Sequence, residues 1–112
     1  MKSKFEYILC SAIWYKDLIL KHIFDSNVLP INCDKGLVFC GHRHSQCMYT
    51  MCSITGLRSA LPEVGEYVQG FLTSKNRFVD RKKALEIALF AGQVNEKNLD
   101  NPLIGLFSED LY

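Results

Sequence analysis

The segment from Cys40 to Cys47 concentrates the most reactive side chains of the sequence. It reads Cys-Gly-His-Arg-His-Ser-Gln-Cys, so two histidines and two cysteines lie within eight residues. Thiolate and imidazole are the ligands that zinc prefers, but a structural site needs four of them, and no second Cys-x-x-Cys or His-x-x-x-His motif is present. We therefore interpret Cys40 as a buried thiol on a strand and Cys47 as one on the core side of a helix.

Arg43 and His44 stand directly before a predicted helix, which favours a second interpretation of this segment. A helix N-terminus presents free N–H groups and the positive end of the helix dipole, so it attracts anions. The guanidinium group of arginine is a bidentate partner for phosphate or carboxylate. Arg43 and His44 are thus candidate ligand-binding residues. The alternative is that they pair with the acidic residues Glu109 or Asp110.

A second group of cations, with an aromatic ring between them, lies at the start of the next predicted helix. It reads Arg-Phe-Val-Asp-Arg from Arg77 to Arg81. Phe78 could stack on a nucleobase while Arg77 and Arg81 bind phosphate. The alternative is that Phe78 belongs to the core and that Asp80 and Arg81 only solvate the helix end. Arg58, in a loop after the first helix, is a further candidate cation.

Catalysis is poorly supported by these patterns. His42 and His44 could supply a general acid or base. However, the sequence has no nucleophile elbow, no phosphate-binding loop, no paired-carboxylate spacing and no repeated His-x-Ser/Thr pair. We expect a binding protein with no catalytic residues, no metal ion and no cofactor. A zinc-stapled domain or hydrolase is the least favoured alternative.

The period of the apolar residues predicts the elements that position these side chains. It indicates strands at 5–15, 36–40 (an inner strand) and Tyr67–Thr73, then a turn at Lys75-Asn76 and a short extended piece, Arg77–Val79. It indicates a helix over Ser45–Ile54, capped by Ser45 and ended by Gly56, and another that Asp80 opens and Gly92 closes. Residues 16–24 fit either a strand or a helical turn, and loops are expected at 25–35 and 59–65. The prediction is an α+β fold with two main helices packed on an antiparallel sheet.

The second helix is apolar over more than one face, from Ala84 to Ala91. Such a helix needs cover on both sides, either from the sheet and the end of its own chain or from a second protomer. We favour the second protomer, and thus an oligomer, because a small domain has little else to cover two faces. The last residues, 102–112, are rich in leucine and aromatic residues, so we expect this segment to be docked on the domain.

Composition sets the remaining limits. A chain of 112 residues with 48% hydrophobic and 22% charged residues is typical of one folded domain, 1–112. The net charge of +1 argues against a partner such as polymeric nucleic acid. No apolar run is long enough to cross a membrane, and no signal peptide is evident. The odd number of cysteines, five, predicts reduced thiols.

Several short motifs, taken in order, resemble those of a known family. They are Gly41-His-Arg-His44, Gln69-Gly-Phe-Leu-Thr-Ser74, Arg77-Phe-Val-Asp-Arg81, Ala91-Gly-Gln93 and Leu106-Phe-Ser-Glu-Asp-Leu-Tyr112. In these motifs the chain resembles the Thoeris anti-defence sponges of the first described type, which are small phage proteins. His42 and the cysteines around it are not explained by the resemblance.

The resemblance implies a small α+β protein that forms homodimers, some of which assemble into hexamers. It implies binding, without cleavage, of a cyclic ADP-ribose isomer made by a defence enzyme, and in some members of cyclic oligonucleotides at separate sites. The protein would act in the cytoplasm of an infected bacterium. The family pocket lies where protomers meet and uses arginine and aromatic side chains; Arg43, Arg58, Phe78 and Arg81 are of the right type.

Overall fold

The computed structural model describes residues 5–18, 29–58 and 62–112. An antiparallel sheet in the order β2-β1-β3-β4 is formed by β1 (Ile8–Tyr15), β2 (Leu37–Gly41), β3 (Tyr67–Thr73) and β4 (Phe78–Asp80). The α-helices of the described residues are α1 (His44–Thr55), α2 (Arg81–Phe90) and the single turn α3 (Ser108–Leu111). Short 3-10 turns occur at Pro62–Val64 and Glu96–Asn98. The predicted α+β fold, with two main helices on an antiparallel sheet, is confirmed.

Both main helices cover the same face of the sheet. The core beneath α1 joins its Cys47 and Met51 to side chains of β1 and β2, while the core beneath α2 joins its Ala84 and Ala88 to Phe71 of β3. Side chains alternate along a strand, so the remaining residues of β1 and β3 point to the opposite face. That face carries a smaller cluster around Ala12, Cys33 and Phe78.

Two predictions about α1 and β2 are wrong. The 36–40 strand was expected inside the sheet, but within the described part of the chain β2 pairs only with β1 and lies at the edge of the sheet. The helix expected to be capped by Ser45 begins one residue earlier, at His44, with Arg43 in the N-cap position. There the backbone N–H of Arg43 donates to Gln46 Oε1 at 2.9 Å. The apolar period marks the buried face of a helix, not its first residue, which explains the shift.

The turn and helix-end predictions for the rest of the chain are confirmed. Asn76 has a φ of 57°, the left-handed conformation that asparagine tolerates in a hairpin turn. The Asp80 carboxylate accepts the N–H of Lys83 at 2.8 Å, as an N-cap does. Gly56 and Gly92 take left-handed conformations just after α1 and α2.

Two side-chain amides pair with the backbone of the sheet. Gln93 Oε1 accepts the N–H of Ile8 at 2.7 Å, and its Nε2 donates to the carbonyl of the same residue at 2.8 Å. Asn32 does the same to Phe78: its Oδ1 accepts the N–H at 2.8 Å and its Nδ2 donates to the carbonyl at 2.6 Å. Each amide thus presents one donor and one acceptor where a neighbouring strand would present a peptide group.

The C-terminal segment is docked, as predicted. Leu106 is fully buried beneath α2, and its N–H donates to the carbonyl of Arg81 at 2.9 Å. The Tyr112 hydroxyl donates to the carbonyl of Leu9 at 3.0 Å, which joins the last turn to β1. Leu103, in contrast, is 89% exposed. We call residues 106–112 the tail.

Some predictions fall on other parts of the chain. The basic start at Met1–Lys4, residues 19–28 of the ambiguous and loop segments, and residues 59–61 lie outside the described residues. In the described part, 16–18 form a turn and 29–36 form an irregular connection, as expected of a loop. No helix among the described residues is long and apolar enough to cross a membrane.

Candidate functional site

Arg43 projects from the start of α1 onto the tail. Its Nη1 donates to Ser108 Oγ at 3.3 Å and lies 3.5 Å from Glu109 Oε2, and its Nη2 donates to the carbonyl of Tyr112 at 3.4 Å. All three contacts are long for charge-assisted bonds, and the Arg43 side chain is 31% exposed. The pairing of Arg43 with Glu109, stated above as an alternative, is therefore what the structure shows, whereas the same alternative is wrong for His44.

His44 lies beside Arg43 but is buried. Its Nε2 is 2.8 Å from the carbonyl oxygen of Gly70, and its ring packs edge-on against Phe71 at 5.1 Å. Because a carbonyl oxygen can only accept, Nε2 carries the proton. Burial lowers the pKa of His44, so the ring is neutral near pH 7. This histidine ties α1 to β3.

Arg81, the first residue of α2, holds the other end of the tail. Its Nη1 donates to the carbonyl of Leu106 at 2.8 Å, and its Nη2 donates to Gln69 Oε1 at 2.6 Å. The guanidinium carbon lies 4.2 Å from the ring centre of Phe107, within cation–π range. Desolvation lowers the pKa of Arg81, which nevertheless stays charged.

Aromatic rings accompany both arginines. The Tyr112 ring packs at a tilt of 34° against the His42 ring, with ring centres 4.0 Å apart, and the Arg43 guanidinium lies 5.8 Å from the Tyr112 ring centre. The guanidinium groups at the starts of α1 and α2 and two aromatic rings of the tail therefore lie in one region, which we call the tail cluster. Its members are Arg43, Arg81, Phe107, Glu109 and Tyr112.

The other predicted site residues lie elsewhere. Arg77 faces the N-terminal end of β1, where its Nε and Nη2 donate to the two carboxylate oxygens of Glu6 at 2.8 and 2.6 Å. Phe78 is buried on the opposite face of the sheet, edge-on to Trp14, so the core alternative describes it. Arg58 is exposed in the loop after α1. The stretch Arg77–Arg81 thus sends its side chains in different directions.

Glu6, Gln69 and Glu109 were not singled out as site residues, although each binds a candidate arginine. The Arg77 hydrogen bonds lower the pKa of Glu6 to about 2. Hydrogen bonding to Ser108, together with nearby Arg43, lowers the pKa of Glu109. Of these three partners, the sequence indicated only Glu109, because it lies in the acidic tail. The partners of Arg77 and Arg81 depend on strand register and carry no local pattern.

The cysteines differ from the expectation in one respect. Cys47 is fully buried on the core side of α1, as predicted, but Cys40 is exposed on β2, on the face of the sheet away from α1. No group of three or more histidine, cysteine, aspartate or glutamate side chains among the described residues could hold a metal ion.

One comparison with known proteins bears on identity. The sequence model of the family described as Phage T4 y16D protein matches residues 7–112. The chain belongs to this family. The match covers every described element, from β1 to the tail, so the phage origin implied by the motifs is supported. The family description names a phage protein and no activity, and no curated protein and no solved structure matches the chain.

Proposed function

We propose that this phage protein sequesters a cyclic ADP-ribose-type signal in the cytoplasm of the infected bacterium, binding it without cleavage. One observation carries the proposal: the tail cluster gathers two guanidinium groups and two aromatic rings. A cyclic dinucleotide-like ligand offers phosphates and a purine, which are the groups that arginine and aromatic side chains bind.

The ligand would bind Arg43 by replacing its contact with Glu109. At 3.5 Å, with side chains 31% and 58% exposed, the ion pair is of the weak surface kind. A ligand phosphate offers Arg43 shorter, charge-assisted bonds than the tail does. Binding would replace the Glu109 carboxylate by a phosphate and leave the buried Leu106 in place.

His44 fits a binding protein better than an enzyme. Its protonated nitrogen is already bound to the Gly70 carbonyl, and burial holds its pKa below the ordinary value. A general acid must reach the substrate with its proton, and this proton faces the sheet. Sequestration needs tight binding alone, which the two arginines and rings of the tail cluster can supply.

The test is retention of an intact ligand. The protein is incubated with a cyclic ADP-ribose isomer, freed of unbound ligand, and denatured, and the released compound is identified by mass spectrometry. We expect the intact isomer, and at least about ten-fold less of it from Arg43→Ala, which loses a charge-assisted bond of roughly 1.5–3 kcal/mol. Lys82→Ala is the control, since Lys82 is an exposed cation on α2 that is not a member of the tail cluster. Wild-type protein that retains nothing refutes the proposal, and a hydrolysed product makes the protein an enzyme.

A second candidate function, a homo-oligomeric interaction module, is favoured by the end of α2. Phe90 is 76% exposed there, and its ring lies 5.4 Å from that of Phe5. These rings and Tyr7 line a groove of about 450 Å³. We infer that a second protomer covers Phe90, as the apolar sequence of α2 predicts.

Sedimentation analysis tests this second candidate. Phe90→Glu should convert a dimer or hexamer into monomers. Leu103→Glu should not, although Leu103 is 89% exposed, because it lies outside the groove. A wild-type monomer at all concentrations contradicts the oligomer. If Phe90→Glu also abolishes ligand retention while Leu103→Glu does not, the ligand pocket depends on the oligomer.

A further inference from the structure

Cys10 and Cys40 lie on neighbouring antiparallel strands and on the same face of the sheet. Ala12 of β1 is directly opposite Cys40 of β2, and Cys10 lies two residues before Ala12. Cys10 is therefore the diagonal neighbour of Cys40, on the face away from α1. Cys40 is exposed and Cys10 is half-buried, so reagents in solution can reach the pair.

The titrations of the two thiols are linked. The Cys40 side chain and the backbone of Gly41 favour the thiolate form of Cys10 and lower its pKa to about 7, while the Cys10 side chain and burial raise the pKa of Cys40. Cys10 is thus the nucleophile of the pair, because the thiolate is the reactive form.

The buried cysteines are in a different state. Burial raises the pKa of Cys33 and of Cys47 to about 11, so both remain thiols at neutral pH. The Cys47 thiol donates to the carbonyl of Arg43 at 3.4 Å, inside the core beneath α1. Neither of these two cysteines competes with Cys10 for an oxidant.

We propose that Cys10 and Cys40 form a reactive dithiol that exchanges with small disulfides of the oxidised glutathione class and closes into a cross-strand disulfide. The Cys10 thiolate attacks one glutathione sulfur, the glutathione S–S bond breaks, and one glutathione thiolate leaves. Cys40 then loses its proton to solvent and attacks the Cys10 sulfur, which releases the second glutathione. Two protein thiols are oxidised, one oxidised glutathione is reduced to two thiols, and the two protons go to the glutathione thiolates.

The fold permits this closure. A disulfide requires Cα atoms within about 7 Å of each other. Diagonal neighbours on two paired strands are about 7–8 Å apart, so the shortest of these distances meets the requirement. Cys40 is one residue from the end of β2, and among the described strands β2 has a neighbour on one side only. A small movement of this strand end is sufficient. Cys10 also follows Leu9, whose carbonyl binds the Tyr112 hydroxyl, so closure occurs beside the docked tail.

The experiment uses the full chain in a series of glutathione redox buffers at pH 7, followed by rapid alkylation, digestion and mass spectrometry. We expect a linked peptide pair that contains Cys10 and Cys40. In Cys40→Ser, Cys10 should stop at the mixed disulfide with glutathione. In Cys10→Ser, Cys40 should react several-fold more slowly than Cys10 does in the wild type, because the contact that lowers the pKa of Cys10 is gone and burial still raises the pKa of Cys40.

Cys52→Ser is the matched control, since Cys52 is half-buried like Cys10 but packs against the core beneath α1. It should leave the Cys10–Cys40 link unchanged. The proposal is overturned if wild-type protein forms no such link, or if Cys10 is alkylated no faster than Cys52. Both measurements use wild-type protein and therefore do not depend on how well a variant folds.

Discussion

Arg77 and Arg43 each bind a glutamate far away in the sequence, but in different ways. Arg77 makes two bonds of 2.6 and 2.8 Å to Glu6, whose side chain is only 13% exposed and also accepts the Thr73 hydroxyl. Arg43 approaches Glu109 at 3.5 Å, and the Glu109 side chain is 58% exposed. The first pair is a bidentate, shielded contact, and the second is a single solvated one.

Under the proposed function, this difference separates an arginine that stabilises the fold from one that would bind the ligand. The Arg77–Glu6 pair joins the start of β1 to the β3–β4 hairpin, and its hydrogen bonds to charged groups are of the strong kind. The Arg43–Glu109 pair can exchange partners at low cost because solvent screens it. Two arginines that looked equivalent in the sequence therefore have different predicted roles.

Gly105→Ala should have the largest effect on stability. It should displace the tail, which Arg43 contacts, and leave the Arg77–Glu6 pair unchanged. Gly105 has a φ of 130°, and an added Cβ would lie 2.5 Å from the backbone of Arg81. We expect a loss of about 2–4 kcal/mol in the free energy of unfolding, measured with denaturant, and faster hydrogen exchange in the tail. Gly92→Ala is the control: its φ is also positive, but no atom lies within 4 Å of the added Cβ, so about 1 kcal/mol is expected. Equal losses would contradict the close contact with Arg81.

Glu6→Gln weakens the Arg77–Glu6 pair instead of the contacts of Arg43. The variant should lose about 1–3 kcal/mol of unfolding free energy at pH 7, because a charged, bidentate contact becomes a neutral one. The pKa of Glu6 is lowered from 4.5 to about 2 in the folded protein, so its stabilisation is present above pH 4.5 and is lost as the pH falls toward 2. Glu6→Gln should remove that part of the pH dependence, whereas Glu86→Gln, in an exposed pair with Lys83, should not. Unchanged acid stability in Glu6→Gln would show that the pair is not a fold contact.

His44→Gln tests whether the residue next to Arg43 is structural. Burial lowers the pKa of His44 below 6.5, so the folded state resists protonation and wild-type stability should decrease as the pH falls below 6.5. The variant should lose about 1 kcal/mol near pH 8, for the bond to Gly70, and should not show this decrease. Denaturant midpoints measured from pH 8 to pH 5 provide the check. A variant with the wild-type pH profile would assign the decrease to another group.

Glu109→Gln should have the smallest effect on stability and the most informative effect on binding. Its loss of unfolding free energy should be below about 1 kcal/mol, as for other exposed ion pairs. Because the variant removes an anion that competes for Arg43, affinity for a cyclic ADP-ribose isomer should rise by up to about five-fold, measured by calorimetry. Glu6→Gln should leave the affinity unchanged. Unchanged or weaker binding by Glu109→Gln would contradict competition between Glu109 and the ligand for Arg43.

The elements were predictable from the sequence, but most of their long-range contacts were not. Apolar alternation and cap residues indicated β3, the hairpin at Asn76 and the Asp80 cap, because these features depend on neighbours in the chain. The partner of Arg77, 71 residues away, depends on which strands pair and in which register. The exposure of Cys40 has the same origin, since a strand pattern does not state which parts of each face the rest of the chain covers.

The tail was partly predictable. Its apolar residues indicated docking, and its acidic residues indicated a contact with Arg43. The contact of Arg81 with Leu106 and Gln69 was not predictable, because it requires α2, β3 and the tail to meet at one point. Candidate residues were therefore recognisable by type, whereas their grouping into one cluster depended on tertiary structure.

The paired amides of Asn32 and Gln93 have a consequence for how this chain behaves at high concentration. A sheet with open edges can recruit strands from other molecules and grow into aggregates. Asn32 occupies both backbone groups of Phe78 in the edge strand β4, and Gln93 occupies those of Ile8 beyond the end of β2. Aspartate or glutamate at these positions would offer acceptors only and repel the carbonyl. A single amide group at each place thus occupies the backbone groups that an added strand would need there, without an additional strand.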